Sequence, residues 1–495
     1  MKQGLQKRLP MIIFILLYLL TGYIGAIMML FGPEQLWSWY VYFSGVTMPS
    51  ITYGDLTRIM ILLHVPPILM WMGYEVSIHF MDRRKLLVDS RDTHPGLDQR
   101  LIQVLYFLSL VVAAYSLIRT GSFRNLSAWA DYNQMIQARY QLFNSLNFFE
   151  FVNIYTVIPV IGTLLILTFL QQSISARSKI VYGMIIFAPI IAVNILIYQK
   201  KPLITSMLII IVAIVLFYLF GKQPRVTVTR KMRTYIGSSV GLVVAIYLLL
   251  ILLPVISSSS QVYQASEETK QTYQTNESKQ GKTSAKSHRS GGKKKPQTGT
   301  NDVTTVGEQD EEETPVIFRE FGDSLPNSKS RLQNLILYTL MAPISRTSAQ
   351  SIAYPIVFPT EHQYYPVDMG QDIIGFGLMP DDNVVVWNTL YPDSPGGSVA
   401  APFHIILYSQ GGLWVSIIGS LIVGIALGFI WMILISRREM NPLASVLGSL
   451  LVMLSIYVSI DALRNSVTVS YGLLWPVIAV IAIAIVNQAM KRMRL

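Results

Sequence analysis

The run Gly412–Ser436, GLWVSIIGSLIVGIALGFIWMILIS, decides the fold. It holds 25 residues without one charged side chain and is closed by Arg437 and Arg438. A helix of that length rises about 37 Å, enough to cross a hydrocarbon core about 30 Å thick. Similar runs lie near 10–31, 56–75, 101–119, 150–171, 179–198, 202–221, 235–256, 442–463 and 471–490. None has the strict alternation of a barrel strand. Backbone polar groups in lipid must then be satisfied within helices. The expected fold class is all-α integral membrane, with about ten transmembrane helices and a large extracytoplasmic loop between spans seven and eight.

Composition agrees. Hydrophobic residues make up 52% of the chain and charged ones 14%, where soluble chains carry about a quarter charged. The absence of cysteine excludes a disulfide framework, a thiol nucleophile and a cysteine metal site. No metal-ligand spacing or phosphate-cradling glycine loop stands out, so no metal and no cofactor is expected. The net charge of +11 does not point to nucleic acid, because most basic residues flank the apolar runs. With the N-terminus inside, the inner ends carry twenty basic residues and the short outer loops seven. The positive-inside rule therefore predicts N- and C-termini on the cytoplasmic side of the cytoplasmic (inner) membrane. The first run, 10–31, is long enough to remain as a span rather than be cleaved. One further span, around Leu332–Ile344, would reverse everything after it.

Four parts follow: a seven-span region 1–256, a linker 257–330, an ordered extracytoplasmic loop 331–411, and a three-span region 412–495. The linker is rich in Ser, Thr, Gln, Lys and Gly and is expected to be disordered. Its Lys293–Lys295 and Asp310–Glu313 clusters read as solvated patches. The loop after it is aromatic and turn-rich. Tyr364, Tyr365, Trp387 and Tyr391 suit stacking on sugar rings, and equally suit an interfacial belt. A second outer element, 121–150, places Leu126, Trp129, Ile136, Tyr140 and Phe143 near helical spacing. It predicts an amphipathic helix on the membrane surface.

Arginines on a sparsely charged outer face are the candidates for binding chemistry: Arg124, Arg139, Arg346 and Arg464. A guanidinium stays charged and grips phosphate oxygens bidentately, which suits a diphosphate at the membrane surface. Lys200 and Lys201 would assist as point charges. For any one of them, a structural salt bridge or snorkelling is the plain alternative; Asp461 stands three residues before Arg464. His404, just before span eight in PFHIILYSQGG, has the chemistry of a general base at neutral pH. Lone histidines are also commonly structural. Gly411, Gly412, Gly419, Gly424 and Gly428 line one end and one stripe of span eight, as close helix packing requires.

SPGGSVAAPFHIILYSQGGLWVSIIGSLIVGIALG, 394–428, resembles the late region of O-antigen polymerases of the Wzy type. O-antigen ligases share a related pattern, with a histidine ahead of the glycines as His404 stands here. DALRNSVTVSYGLLWPV, 461–477, is similar to the Arg-containing turn between their last spans, and YQKKPLITSMLIII, 198–211, to the basic residue opening a mid-chain span. The resemblance implies a metal-independent membrane glycosyltransferase that joins polyprenyl-diphosphate-linked oligosaccharide repeat units into a surface polysaccharide. It implies that Arg139, Arg346 and Arg464 hold the diphosphate. His404, Glu150 or Asp372 would then deprotonate the acceptor hydroxyl. The implied partners are the lipid-linked substrate, the bilayer, a chain-length regulator and a flippase. The alternatives are a ligase-like glycan transferase and a lipid-linked oligosaccharide flippase or transporter.

Overall fold

The protein is described from a computed structural model covering residues 2–32, 51–83, 97–124, 132–172, 175–198, 200–220, 345, 347–360, 362–365, 382–391, 399–436, 441–461, 466–467 and 473–493. Among these residues the chain is all-helical. In order come α1 (Lys2–Tyr18), a π turn (Leu19–Tyr23), α2 (Ile24–Phe31), α3 (Tyr53–Arg83), α4 (Gln99–Arg119), α5 (Tyr132–Ser145) and α6 (Phe148–Val152). A second π turn (Asn153–Val157), α7 (Ile158–Gln171), α8 (Ala176–Leu196) and α9 (Lys200–Phe220) follow. The last group is α10 (Asp382–Leu390), α11 (Phe403–Ser409), α12 (Gly412–Ser436), α13 (Pro442–Val458) and α14 (Leu474–Met493).

Seven helices among the described residues are long and apolar enough to cross a membrane. They are Gln6–Phe31, Tyr53–Arg83, Gln99–Arg119, Phe148–Gln171, Arg177–Leu196, Pro202–Phe220 and Gly412–Ile435. Pro442–Val458 and Leu474–Met490 are shorter apolar helices. The expected span 235–256 and the linker 257–330 lie outside the described residues.

Two boundaries differ from the sequence reading. The second span continues well past residue 75 to Arg83, because its polar extension is stitched to α1. Lys7 Nζ donates to Asp82 at 2.6 and 2.7 Å, Arg8 binds Glu75 through two nitrogens, and the Tyr74 hydroxyl donates to Lys7 O at 2.7 Å. The ninth span ends early, at Val458, where Ile460 N and Asp461 N both bond back to Tyr457 O and close a turn.

α3 and α12 form the most extensive helix pair. A Cβ on Gly424 would stand 2.0 Å from Met70 O, and one on Gly73 would stand 2.5 Å from Leu421 O. Ser77 Oγ donates across the seam to Ile425 O at 2.8 Å. The glycine stripe of span eight is therefore a helix-packing seam, as its spacing suggested. A second core joins α4, α7, α8, α9, α13 and α14, with α5 laid against it through Met135, Ala138 and Leu142.

The segment expected to stand as an external loop is partly drawn into the bundle. Helical residues 347–357 and α11 pack against α2 and α3 through Ala349, Ile352, Tyr354, Ile405 and Tyr408, all fully buried. Ser348 Oγ donates to Thr21 O at 2.8 Å, at mid-length of the first span. α11 doubles back on α12, with Ser416 Oγ donating to His404 O at 2.6 Å.

Gly424→Ala is expected to destabilise the protein by about 1–3 kcal/mol, since the new methyl must push two backbones apart. Gly183→Ala, with nothing within 4 Å of its Cβ position, should be neutral or mildly stabilising. Thermal unfolding of both variants in detergent checks the pair; equal losses would remove the seam from the argument.

Candidate functional site

At the end of the bundle that carries Arg58, a collar of hydroxyls and rings is built from four chain segments. Asp55 sets its first member. The carboxylate accepts Thr52 N at 3.0 Å and Thr52 Oγ1 at 2.7 Å, and its other oxygen pairs with Arg58. This places the guanidinium over the chain turn 358–360. There it donates to Phe358 O and Thr360 Oγ1, both at 3.4 Å. Such long bonds use little of a five-donor fork. Phe358 O also accepts from the Tyr408 hydroxyl at 2.9 Å, which in turn accepts from Tyr364 at 2.9 Å. Burial holds the Tyr408 phenol well above the ordinary range, with the Tyr364 hydroxyl adding to it, so it remains a neutral donor.

Backbone bonds fix the rest of the collar. Tyr365 N donates to Ser409 O at 2.9 Å, and His362 N to Val357 O at 2.9 Å. The Tyr365 ring then stacks on His362, with centroids 4.9 Å apart. Trp387 stacks on Tyr391 at 4.1 Å on and beside α10, against the same core. Ser409 Oγ donates to Asp382 Oδ2 at 2.8 Å, which holds α10 to α11. Gly412 adopts φ +77°, and a Cβ there would press on the Tyr364 ring at 3.3 Å. Glycine is what lets Tyr364 close over the α11–α12 turn.

Beneath the collar, on α11, sits His404. Its side chain is fully buried, edge-on to Tyr18 at 5.2 Å and to Phe403 at 5.6 Å. Neither ring nitrogen has a partner among the described residues. Burial pushes its pKa down to about 3, so the ring is neutral. Tyr18 adjoins Tyr23, whose hydroxyl lies 2.8 Å from His64 Nε2, while His64 Nδ1 lies 2.7 Å from Met60 O. A carbonyl accepts only, so Nδ1 carries the proton and Nε2 accepts from Tyr23. Four rings thus run His404–Tyr18–Tyr23–His64 through the first π turn.

The residues named from sequence separate into three groups. Tyr365, Trp387 and Tyr391 pack against one core, and Tyr364 stands against Tyr408 of that core. His404 stands below them, enclosed rather than at an interface. Glu150 is elsewhere: it forms a capping box with Asn147, accepts from Arg119 at 2.6 Å, and locks α6 to α4. Arg124 is exposed at the end of a short turn after α4, and Arg139 is half-buried on α5. Lys200 and Lys201 are the first residues of α9. Arg346, Arg464 and Asp372 lie outside the described residues. No group of three or more His, Cys, Asp or Glu that would hold a metal occurs among the described residues.

Arg58, Thr360, His362 and Tyr408 were not singled out by sequence. Arg58 carried a readable signal, Thr52-x-x-Asp55-x-x-Arg58, a helix start with an acid three residues before a base. Glu150 carried one too, as Asn147-x-x-Glu150 is a capping-box spacing.

The depressed folded pKa of His404 makes a signed prediction. An unfolded histidine takes up its proton near pH 6.5, so the stability from the neutral buried ring is full above that and is lost as pH falls towards 3. Wild-type unfolding free energy should fall by up to about 1.4 kcal/mol per pH unit over that window, and His404→Leu should flatten that slope. Parallel slopes in denaturant titrations at pH 7, 5.5 and 4.5 would show that another group sets it.

In comparisons with protein-family models, curated proteins and solved structures, nothing matches the chain.

Proposed function

We propose that this chain is a membrane glycosyltransferase that joins polyprenyl-diphosphate-linked oligosaccharide repeat units at the outer face of the cytoplasmic membrane. The observation that supports this most is the collar at the Arg58 end. There a guanidinium held by Asp55 sits among Thr360, Tyr364 and Tyr408, beside the ring stack of His362 and Tyr365. Guanidinium and hydroxyl donors suit a diphosphate, and flat aromatic faces suit sugar rings.

In this reading the acceptor hydroxyl loses its proton to a base and its oxygen attacks the anomeric carbon of the donor. The bond from that carbon to the diphosphate oxygen breaks, and the polyprenyl diphosphate leaves with the electron pair. Arg58, joined by Arg124, Arg139, Arg346, Arg464, Lys200 and Lys201 as they reach the group, offsets the charge that develops. Burial keeps the His404 ring neutral but, with its pKa about 3, makes it a weak proton acceptor, so it serves as the base only once the ring is exposed. Its enclosure requires the 399–409 segment to shift before a hydroxyl reaches it. Trp387 and Tyr391 extend the stacking surface. A ligase would use the same donor grip, and the products tell the two apart.

The test is reconstitution in vesicles with a lipid-linked repeat unit and a glycan-length readout. Arg58→Ala should cut elongation by about a hundredfold, the size of one lost charge-stabilising donor, with Arg58→Lys intermediate. Arg346→Ala and Arg464→Ala should also abolish lengthening, and His404→Ala should slow it strongly. Polymer of normal length in all four would end the proposal. Transfer of one unit to a different acceptor would identify a ligase, and translocation of unaltered donor a flippase.

A further inference from the structure

Among the described residues, one residue with a Cβ holds a positive φ, and it lies outside the collar. Tyr198, in the turn between α8 and α9, has φ +54°. That left-handed conformation is unfavourable for an L side chain and uncommon for a bulky one. It persists only where the surroundings hold it. Here they are explicit. The ring is 1% exposed and belongs to the second core with Leu117, Leu196 and Ile197. The Tyr198 N–H donates to Ile195 O at 3.3 Å, and the hydroxyl donates to Ser122 O.

Ser122 belongs to the turn 120–124, which is itself closed. Thr120 Oγ1 and Ser122 Oγ lie 3.0 Å apart, and Arg124 N donates to Gly121 O at 2.9 Å. The Tyr198 hydroxyl thus bridges two turns whose bonded residues are 76 positions apart. Both turns lead into cations. Arg124 ends the first, and its exposed side chain forms no ion pair among the described residues. Lys200 and Lys201 follow the second, at the start of α9. Neither 120–124 nor 197–205 contains an acid. Glu150, on α6, is engaged by Arg119.

We infer that Tyr198 is a positioning residue for the diphosphate grip. Its hydroxyl locks the turn that carries Arg124 to the turn that opens into Lys200 and Lys201, which holds the three charges at a fixed separation. The role rests on the glycan-transfer function proposed above. Glycine or asparagine would reverse the chain at this φ with less strain. Tyrosine adds a hydroxyl that reaches a second turn. Donors already gathered around an anion bind it without the cost of ordering them first.

The chain contains no cysteine, so Arg124→Cys with Lys200→Cys gives one pair of spin-label sites on the full-length protein in vesicles. The distance between the labels is read by double electron–electron resonance with Tyr198 intact and with Tyr198→Phe, which keeps the ring and removes the hydroxyl. Elongation of the lipid-linked repeat unit is measured separately, on protein without the labels. The distance distribution should be narrow with Tyr198 and broaden in Tyr198→Phe. The KM for the lipid-linked donor should rise about fivefold in Tyr198→Phe, the size of one cation lost beside an anion, with kcat kept within about twofold. Arg124→Gln should raise KM by a like factor, and the two substitutions together should raise it by less than the product of their single effects. Should Tyr198→Phe fail to fold, Tyr198→Asn, which tolerates this φ, reads the same separation and KM. An unchanged distance distribution, a loss confined to kcat, or independent effects of the two substitutions on KM would each overturn the inference and leave the proposed reaction standing. No elongation by the wild-type chain would remove the reaction, and this role with it, whatever the distances show.

Discussion

The contact on which the rest depends is the backbone-to-backbone approach of α3 and α12. Between helices in lipid there is no hydrophobic drive, because the acyl chains are as apolar as leucine; packing and hydrogen bonds must supply the association. Gly73 and Gly424 let the two backbones meet, and the Ser77 hydroxyl bonds across them. α11 then folds back on the first turns of α12, and Gly419 leaves space for Leu407. The other end of α3 carries Asp55 and Arg58. The seam at mid-length thus fixes where the guanidinium stands relative to Tyr408.

Two prolines in these helices show how the core tolerates lost donors. Pro67 has no N–H for the carbonyl of Leu63, and the Tyr18 hydroxyl donates to that oxygen at 2.7 Å. Pro10 likewise frees the carbonyl of Gln6, and Trp431 Nε1 donates to it at 3.0 Å. A freed carbonyl in an apolar interior is costly unless a neighbour supplies a donor. Both donors are large aromatics from another helix, so one side chain fills volume and closes the vacancy together. The arrangement ties α1 to α3 and to α12. It also sets the position of Tyr18, and with it the wall against which His404 rests.

Much of this was readable before any coordinates. Uncharged runs such as 202–221 and 412–436 mark helices because length and apolarity are enough in lipid. The pair Gly424 and Gly428 reads as a packing seam because small residues four apart share one face, while Gly419 lies on another and meets Leu407. The short buried helices between the spans were not readable. Residues 347–358 and 403–409 are apolar but too short for a span, and their neighbours are polar, so the chain there resembles an external loop. The π turns leave no mark in composition. Arg58 reads from sequence as one of the seven outer-loop charges, because its partners Phe358 and Thr360 lie some 300 positions away. Glu150 illustrates the converse: a lone acid at a span end attracts a chemical role, while its local spacing to Asn147 assigns it to a helix start.

The two ends of the bundle use cations differently, and the difference has a physical basis. At one end Lys7 and Arg8 are matched by Asp82 and Glu75, partners brought from a second helix. Their charges stay local, and they fasten α1 to α3. At the other end Arg58 is matched by an acid one turn away on its own helix, and its remaining donors make long contacts to Gly54 O, Phe358 O and Thr360 Oγ1. Pairing within a helix holds the guanidinium in place, whereas pairing between helices fastens two spans. A charge held in position by long bonds, with hydroxyls and ring faces around it, is the arrangement on which the proposed diphosphate grip rests. The Lys7 and Arg8 pairs are complete in themselves and serve to hold two helices together.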